Sequence, residues 1–156
     1  MDDKKSRQGG RVKTEALMRA LFKTSSFERF VNKNSESLEL EPFCEYISKL
    51  VERRGEVRAN VIRRADIDIS FGHQLFRGTR NPSRDKVIQL AFGLKSDVAE
   101  AQQLLKHARM SPLYPKLKRD AAIIYCLHNG FELVDAQLML EGLGLTPLSG
   151  ADTRGE

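Results

Sequence analysis

The chain has 156 residues, 40% apolar and 30% charged, with a mean hydropathy of −0.43, which is enough for one domain with a real core, or one domain plus appendages. No apolar run approaches the roughly twenty residues needed to cross a bilayer and no signal-peptide stretch follows the first charges, so a cytosolic, non-membrane protein is expected. The net charge of +5 is concentrated: residues 1–13 carry five Lys/Arg against two Asp and residues 51–86 carry nine against five Asp/Glu, while the two remaining segments are each at −1, a distribution suited to a partner with phosphates.

Met1 to Lys13, rich in Lys, Arg and Gln with paired glycines, has nothing to bury and reads as a disordered basic tail, as do residues 149–156 at the other end. From Thr14 the apolar spacing is helical. Leu17, Ala20 and Leu21 share one face and, after Thr24-Ser25-Ser26, Phe27, Phe30 and Val31 share another, so residues 14–38 hold two short helices or one kinked helix followed by a polar loop over 32–37. Glu41-Pro42 then open a stronger pattern in which Phe43, Ile47, Leu50 and Val51 lie on one side until Gly55.

Short amphipathic pieces follow. Val57, Val61, Ile62 and Ala65 are expected on a buried side, opposite Arg58, Arg63 and Arg64; Asp68 caps a helix through Arg77, and Gly78 stops it. After the Asn81-Pro82 turn, Ser83 caps another helix whose first turn carries Asp85, the favourable sign at that end. Nothing alternates with period two, so no sheet is expected.

Shifting the chain by 35 positions superposes Arg84-Asp85 on Arg119-Asp120, Ile88 on Ile123, Ala101-Gln102 on Ala136-Gln137, Leu105 on Leu140 and Pro112-Leu113 on Pro147-Leu148 without a gap. These eight identities over thirty positions compare with roughly two expected from ordinary composition. Each copy reads as a helical hairpin, with helices near 84–94 and 97–108, then 118–129 and 132–142. The apolar set Val98, Ala101, Leu105, Ala108 recurs as Leu133, Ala136, Leu140, Leu143. The period is that of tetratricopeptide arrays, but the Trp, Gly and Tyr marks of those arrays are missing, which leaves a local duplication.

The segment Val61 to Ser83 has the layout of a helix-turn-helix: Ala65 is small where the second helix must approach, Ile67 plugs the space between the helices and Leu75 packs the second on the first. Such a pair leaves the second helix protruding, able to enter a major groove about 12 Å wide. The run Arg77-Gly78-Thr79-Arg80-Asn81-Pro82-Ser83 resembles the Arg-Gly-Lys-Arg-Asn-Pro-Ser run that follows the recognition helix in the phage-repressor (Cro/Xre-type) helix-turn-helix family of bacterial and phage transcription regulators, and the resemblance extends from Phe43 to Leu94. It implies a five-helix domain over 39–110, with a C-terminal helical hairpin at 111–148, all-α throughout. It further implies double-stranded DNA as partner, with Ile69, Ser70 and Gln74 at base-facing positions, Arg58 at a phosphate and Arg77, Thr79, Arg80 and Ser83 along the backbone. His73 joins the base-reading candidates and Arg84, from the basic segment, the phosphate-binding ones.

The reading helix departs from the family pattern: Ile69 replaces a polar residue, Gly72 a packed Ile or Val, and Phe76 the usual Glu. Gly72 should weaken the helix by about 1 kcal/mol relative to Ala. Ile69, Phe71 and Phe76 would add an apolar face, so a protein-docking adaptor on the same scaffold is the alternative.

Catalytic chemistry finds no support. His73, His107 and His128 lack partners at metal or nucleophile spacing, Cys44 and Cys126 stand far apart, and no Gly-x-Ser-x-Gly occurs, so no enzyme, metal or cofactor is expected. The Leu-rich 133–148 stretch has no Lys or Arg on its polar face and reads as core or subunit contact, the basis for a homodimer, rather than as a membrane-surface helix.

Overall fold

The computed structural model describes residues 13–148, and every regular element among them is a helix. Helices α1 (Thr14–Lys23) and α2 (Phe27–Lys33) belong to one compact unit ending at Leu40; α3 (Phe43–Arg53), α4 (Arg58–Arg64), α5 (Ile69–Arg77), α6 (Arg84–Gly93), α7 (Val98–His107), α8 (Lys118–His128) and α9 (Leu133–Gly142) belong to a second that starts at Glu41. Of the tails expected at 1–13 and 149–156, all but Lys13, which stands at the N-cap of α1, lie outside the described residues. None of the described helices is long and apolar enough to cross a membrane.

In the first unit the Thr-Ser-Ser break is a helix boundary, since the Ser26 side chain accepts from the Arg29 N–H at 3.3 Å and starts α2. The helix runs through Lys33, so the polar loop is shorter than the sequence suggests. Met18, Leu21, Phe22 and Phe27 remain exposed, as expected of a helix pair too small to cover its own apolar side chains.

The second unit is built around α6, whose residues from Lys86 to Gly93 are all buried. The four apolar residues expected on α3 are all in the core. Val57 is not: it is 58% exposed, because α4 starts one residue later and Val57, at its N-cap with extended backbone, is carried off the helical face. The α4–α6 contact is so close that a Cβ on Gly93 would stand 2.4 Å from the Val61 carbonyl oxygen, which explains a glycine at the buried end of α6. At the far end of α7, His107 stacks on Tyr46 with 4.0 Å between ring centroids, and its Nδ1 lies 2.7 Å from the Glu41 carbonyl oxygen. A carbonyl only accepts, so Nδ1 carries the proton.

The 35-residue repeat is physical. Gln102 holds Leu113 by two backbone bonds, Nε2 to O at 2.9 Å and N–H to Oε1 at 2.8 Å, and Gln137 holds Leu148 in the same way at 2.7 Å each. Arg84 donates to the carbonyls of Ser111 and Pro112, Arg119 to those of Thr146 and Pro147. The arginines then cross over: Arg84 pairs with Asp120 and Arg119 with Asp85. The helices follow the same exchange, α6 touching α7 and α9 while α8 also touches α7 and α9. The two hairpins therefore close on each other as a four-helix ring, whereas a tetratricopeptide-like stack would leave the first helix clear of the last. Leu105, Leu133 and Leu140 are buried there as expected; Val98 is only half-buried and Leu143, one residue past the end of α9, is exposed.

Candidate nucleic-acid interface

The candidate site is α4, the turn Ala65–Asp68, α5 and the loop to Ser83. Ala65 and Ile67 are buried in the turn, Asp66 takes a left-handed φ of 54°, and the Ile67 N–H returns to the Ile62 carbonyl at 3.2 Å. Gln89 of α6 donates to the Ala65 carbonyl at 2.9 Å, so the turn is tied to the core from below. Asp68 starts α5 by accepting from the Phe71 N–H at 3.0 Å. These bonds fix where α5 begins and which side of it faces outward.

Gly72, Leu75 and Phe76 form the inner side of α5. A Cβ on Gly72 would stand 2.4 Å from Ile62 Cγ2, so the glycine is where α5 presses against α4, and Ile62 fills the volume that a larger side chain would occupy. Phe76 corrects the reading of an apolar docking face: at 3% exposure it is a core residue. Phe71 is half-buried, which leaves Ile69, 43% exposed, as the one open apolar side chain of the three. Ser70 is exposed beside Ile69, and His73 and Gln74 are half-buried.

At the other end of α5, Gly78 adopts φ 82° and donates its N–H to the Gln74 carbonyl, which also receives the Thr79 N–H at 3.1 Å. Cations sit over the two aromatic rings: Arg58 Cζ lies 5.3 Å from the Phe76 ring centroid and Arg80 Cζ 5.7 Å from that of Phe71. An arginine over a ring keeps its outer N–H donors available while its inner face is packed. Among the described residues no ion pair engages Arg58, Arg63, Arg77 or Arg80.

Arg84 does not join this group. Its guanidinium is taken up by Ser111, Pro112 and Asp120, which corrects its reading as a phosphate contact. Arg54 and Arg64, counted in the same basic segment, pair with Glu100 and Glu56. Ser83 caps α6 through its side-chain oxygen, accepting from the Lys86 N–H at 3.2 Å. The pairing of Arg84 with Asp120 was within reach of the sequence, because the 35-residue shift lays one Arg-Asp dipeptide on another; the rings beneath Arg58 and Arg80 carried no such signal. Elsewhere, a cavity of about 500 Å³ lies between the turns of the two hairpins, lined by Arg64, Phe92, Lys95, Phe131 and Glu132 among others, and includes none of the candidate residues.

Compared with known proteins, the chain matches no family model, no curated protein and no solved structure.

Proposed function

We propose that residues 58–83 are a helix-turn-helix of the repressor type, inside a five-helix domain, and that the protein binds duplex DNA as a bacterial transcription regulator rather than acting as an enzyme. The observation that carries this reading is the division of α5 and its flanks: Gly72, Leu75 and Phe76 turn inward and Phe71 is half-buried beside Arg80, while Arg58, Arg77 and Arg80 surround the same helix without ion pairs among the described residues. Phosphates would meet Arg58, Arg77, Thr79, Arg80 and the Ser83 loop, and Ser70, His73 and Gln74 would face base edges, with Ile69 against a thymine methyl. The adaptor reading is weaker, since aromatic anchors dominate protein-docking helices and Phe76 is buried.

Selection of binding sites from random duplexes by the full chain tests the proposal. One enriched sequence is expected, with affinity falling as salt rises. Removing Arg77 or Arg80 should lower affinity across all sequences and reduce the salt slope by about one unit. Gln74→Ala should relax preference at one base position at about 1–3 kcal/mol. Binding that is absent, or insensitive to salt, would refute it.

A further inference from the structure

The two hairpins, α6–α7 (hairpin 1) and α8–α9 (hairpin 2), share their internal bonds but not their surroundings. In hairpin 1, on the helix against which α4 packs, the outward position Leu90 is buried, and Pro82 is buried as well. Their counterparts in hairpin 2, Tyr125 and Leu117, are more than half exposed. On the second helices the order is reversed by composition: α7 exposes Ala99 and Gln103, whereas α9 puts Val134 and Leu138 at those positions, each at least 60% exposed. Hairpin 2 thus carries large exposed apolar side chains where hairpin 1 is covered, small or polar. A helix with large apolar side chains on opposite sides, as α9 has with Leu133, Ala136 and Leu140 inward and Val134 and Leu138 outward, is one that ordinarily has protein on both sides.

The charges around this face are arranged by end. Exposed Lys116 and Lys118 lie at the start of α8, and exposed Glu132 and Asp135 at the turn where α9 begins. The hairpin is antiparallel, since Arg119 at the start of α8 bonds Thr146 and Pro147 beyond the end of α9. The two groups therefore sit at opposite ends. Glu141 shares the lysine end and leaves it net positive. Two copies related by a twofold axis perpendicular to the hairpin bring the lysine end of each onto the acidic end of the other, with the apolar positions meeting between.

From this we infer that the outer face of α8–α9 is the self-association surface of the protein, an isologous interface between two copies of this chain built on Leu117, Tyr125, Val134 and Leu138. It stands independently of what α5 binds.

Sedimentation equilibrium of the full chain over a range of concentrations reads the association directly, with a thermal melt as control for folding. The wild type should dimerise in the micromolar range. Tyr125→Arg and Leu138→Asp, both at exposed positions, should give folded monomers. Charge reversal gives a second arm. Lys116→Glu with Lys118→Glu, or Glu132→Lys with Asp135→Lys, should each weaken self-association by about tenfold or more. An equimolar mixture of these two variants should recover wild-type affinity, because opposite charges face each other again in the heterodimer. A wild type that stays monomeric, a dimer that survives Tyr125→Arg and Leu138→Asp, or a mixture no tighter than its components would each overturn the assignment. If the apolar variants fail to fold, the mixing arm decides alone.

Discussion

Hairpin 1 (α6–α7) and hairpin 2 (α8–α9) are the same object in two settings. Both use a glutamine to hold the strap that follows, an arginine to hold the same two carbonyls, and an aspartate to receive the other hairpin's arginine. On hairpin 1 the chain packs α4 against α6 and α3 against α7; among the described residues no helix outside the ring packs on hairpin 2 to a comparable extent. Residues that hold a hairpin together are retained between the copies, whereas those that face outward have diverged with what covers them. Leu90 against Tyr125, Gly93 against His128 and Gln89 against Ile124 are such divergences, with the first of each pair buried.

The largest test of this comparison is in the shared core. Leu105 and Leu140 occupy equivalent, fully buried positions, so alanine at either should cost about 2–5 kcal/mol in denaturant unfolding. If the ring is one cooperative unit, both variants unfold in a single transition with similar loss. Two transitions in Leu140→Ala alone would show hairpin 2 folding as a separate appendage.

Breaking the crossed ion pairs separates the copies. The Asp120 side chain is 4% exposed, that of Asp85 22%, so Asp120→Ala should lose about 3 kcal/mol by leaving Arg84 with carbonyls alone, and Asp85→Ala about 1 kcal/mol. The acid limb checks the same pair. Burial alone would raise the Asp120 carboxyl, but bonds from Arg84 and the Tyr114 N–H, with the charges of Arg84 and Arg119, outweigh it and hold it below the ordinary value. Its folded-state value lies under the unfolded one, so the stabilisation is complete above the unfolded value, near 4, and is lost as pH falls through the lower folded value. Asp120→Asn should flatten that part of the stability–pH curve.

A smaller effect distinguishes the outward faces. Gly93→Ala would drive a methyl into the Val61 carbonyl and should cost about 1–3 kcal/mol through forced separation of α4 and α6. The equivalent His128 is exposed, and His128→Ala should stay within about 0.5 kcal/mol.

What the sequence disclosed follows from the same division. The periodicity, the caps at Asp68 and Ser83 and the Gly78 stop were legible because each is set within a few residues of chain. Val57 was misplaced by one helical residue at a terminus, where the apolar pattern does not say on which side of the cap a valine falls. The role of Phe76 was hidden because burial of an aromatic depends on α3 packing against α5, a contact between distant segments. Arg84 was misread although the repeat carried its signal: the 35-residue shift lays Arg84-Asp85 on Arg119-Asp120, but a basic residue in a basic segment looks free until its carboxylate arrives from thirty-six positions away. Gly72 looked like a lost contact, and is a close one, since only the fold shows Ile62 against it.

The smallest expected effect concerns the turns. At the end of α6, Lys95 adopts φ 56°, and at the equivalent end of α8, Gly130 adopts φ 71°. Both turns carry the same pair of backbone bonds, Lys95 N–H to the Phe92 carbonyl and Ser96 N–H to that of Ala91, then Gly130 N–H to Leu127 and Phe131 N–H to Cys126. The bonds being equal, the difference is the Cβ: a non-glycine residue pays roughly 1 kcal/mol in the left-handed region, offset in part because glycine is freer in the unfolded chain. Lys95→Gly should therefore stabilise the protein by about 0.5 kcal/mol, and Gly130→Lys should destabilise it by a similar or larger amount. Lys95→Ala, which keeps the Cβ and removes the ammonium, separates backbone strain from any charge effect. If it stabilises as much as Lys95→Gly, the lysine charge rather than its backbone is what hairpin 1 bears, and the equivalence of the two turns would be one of shape alone.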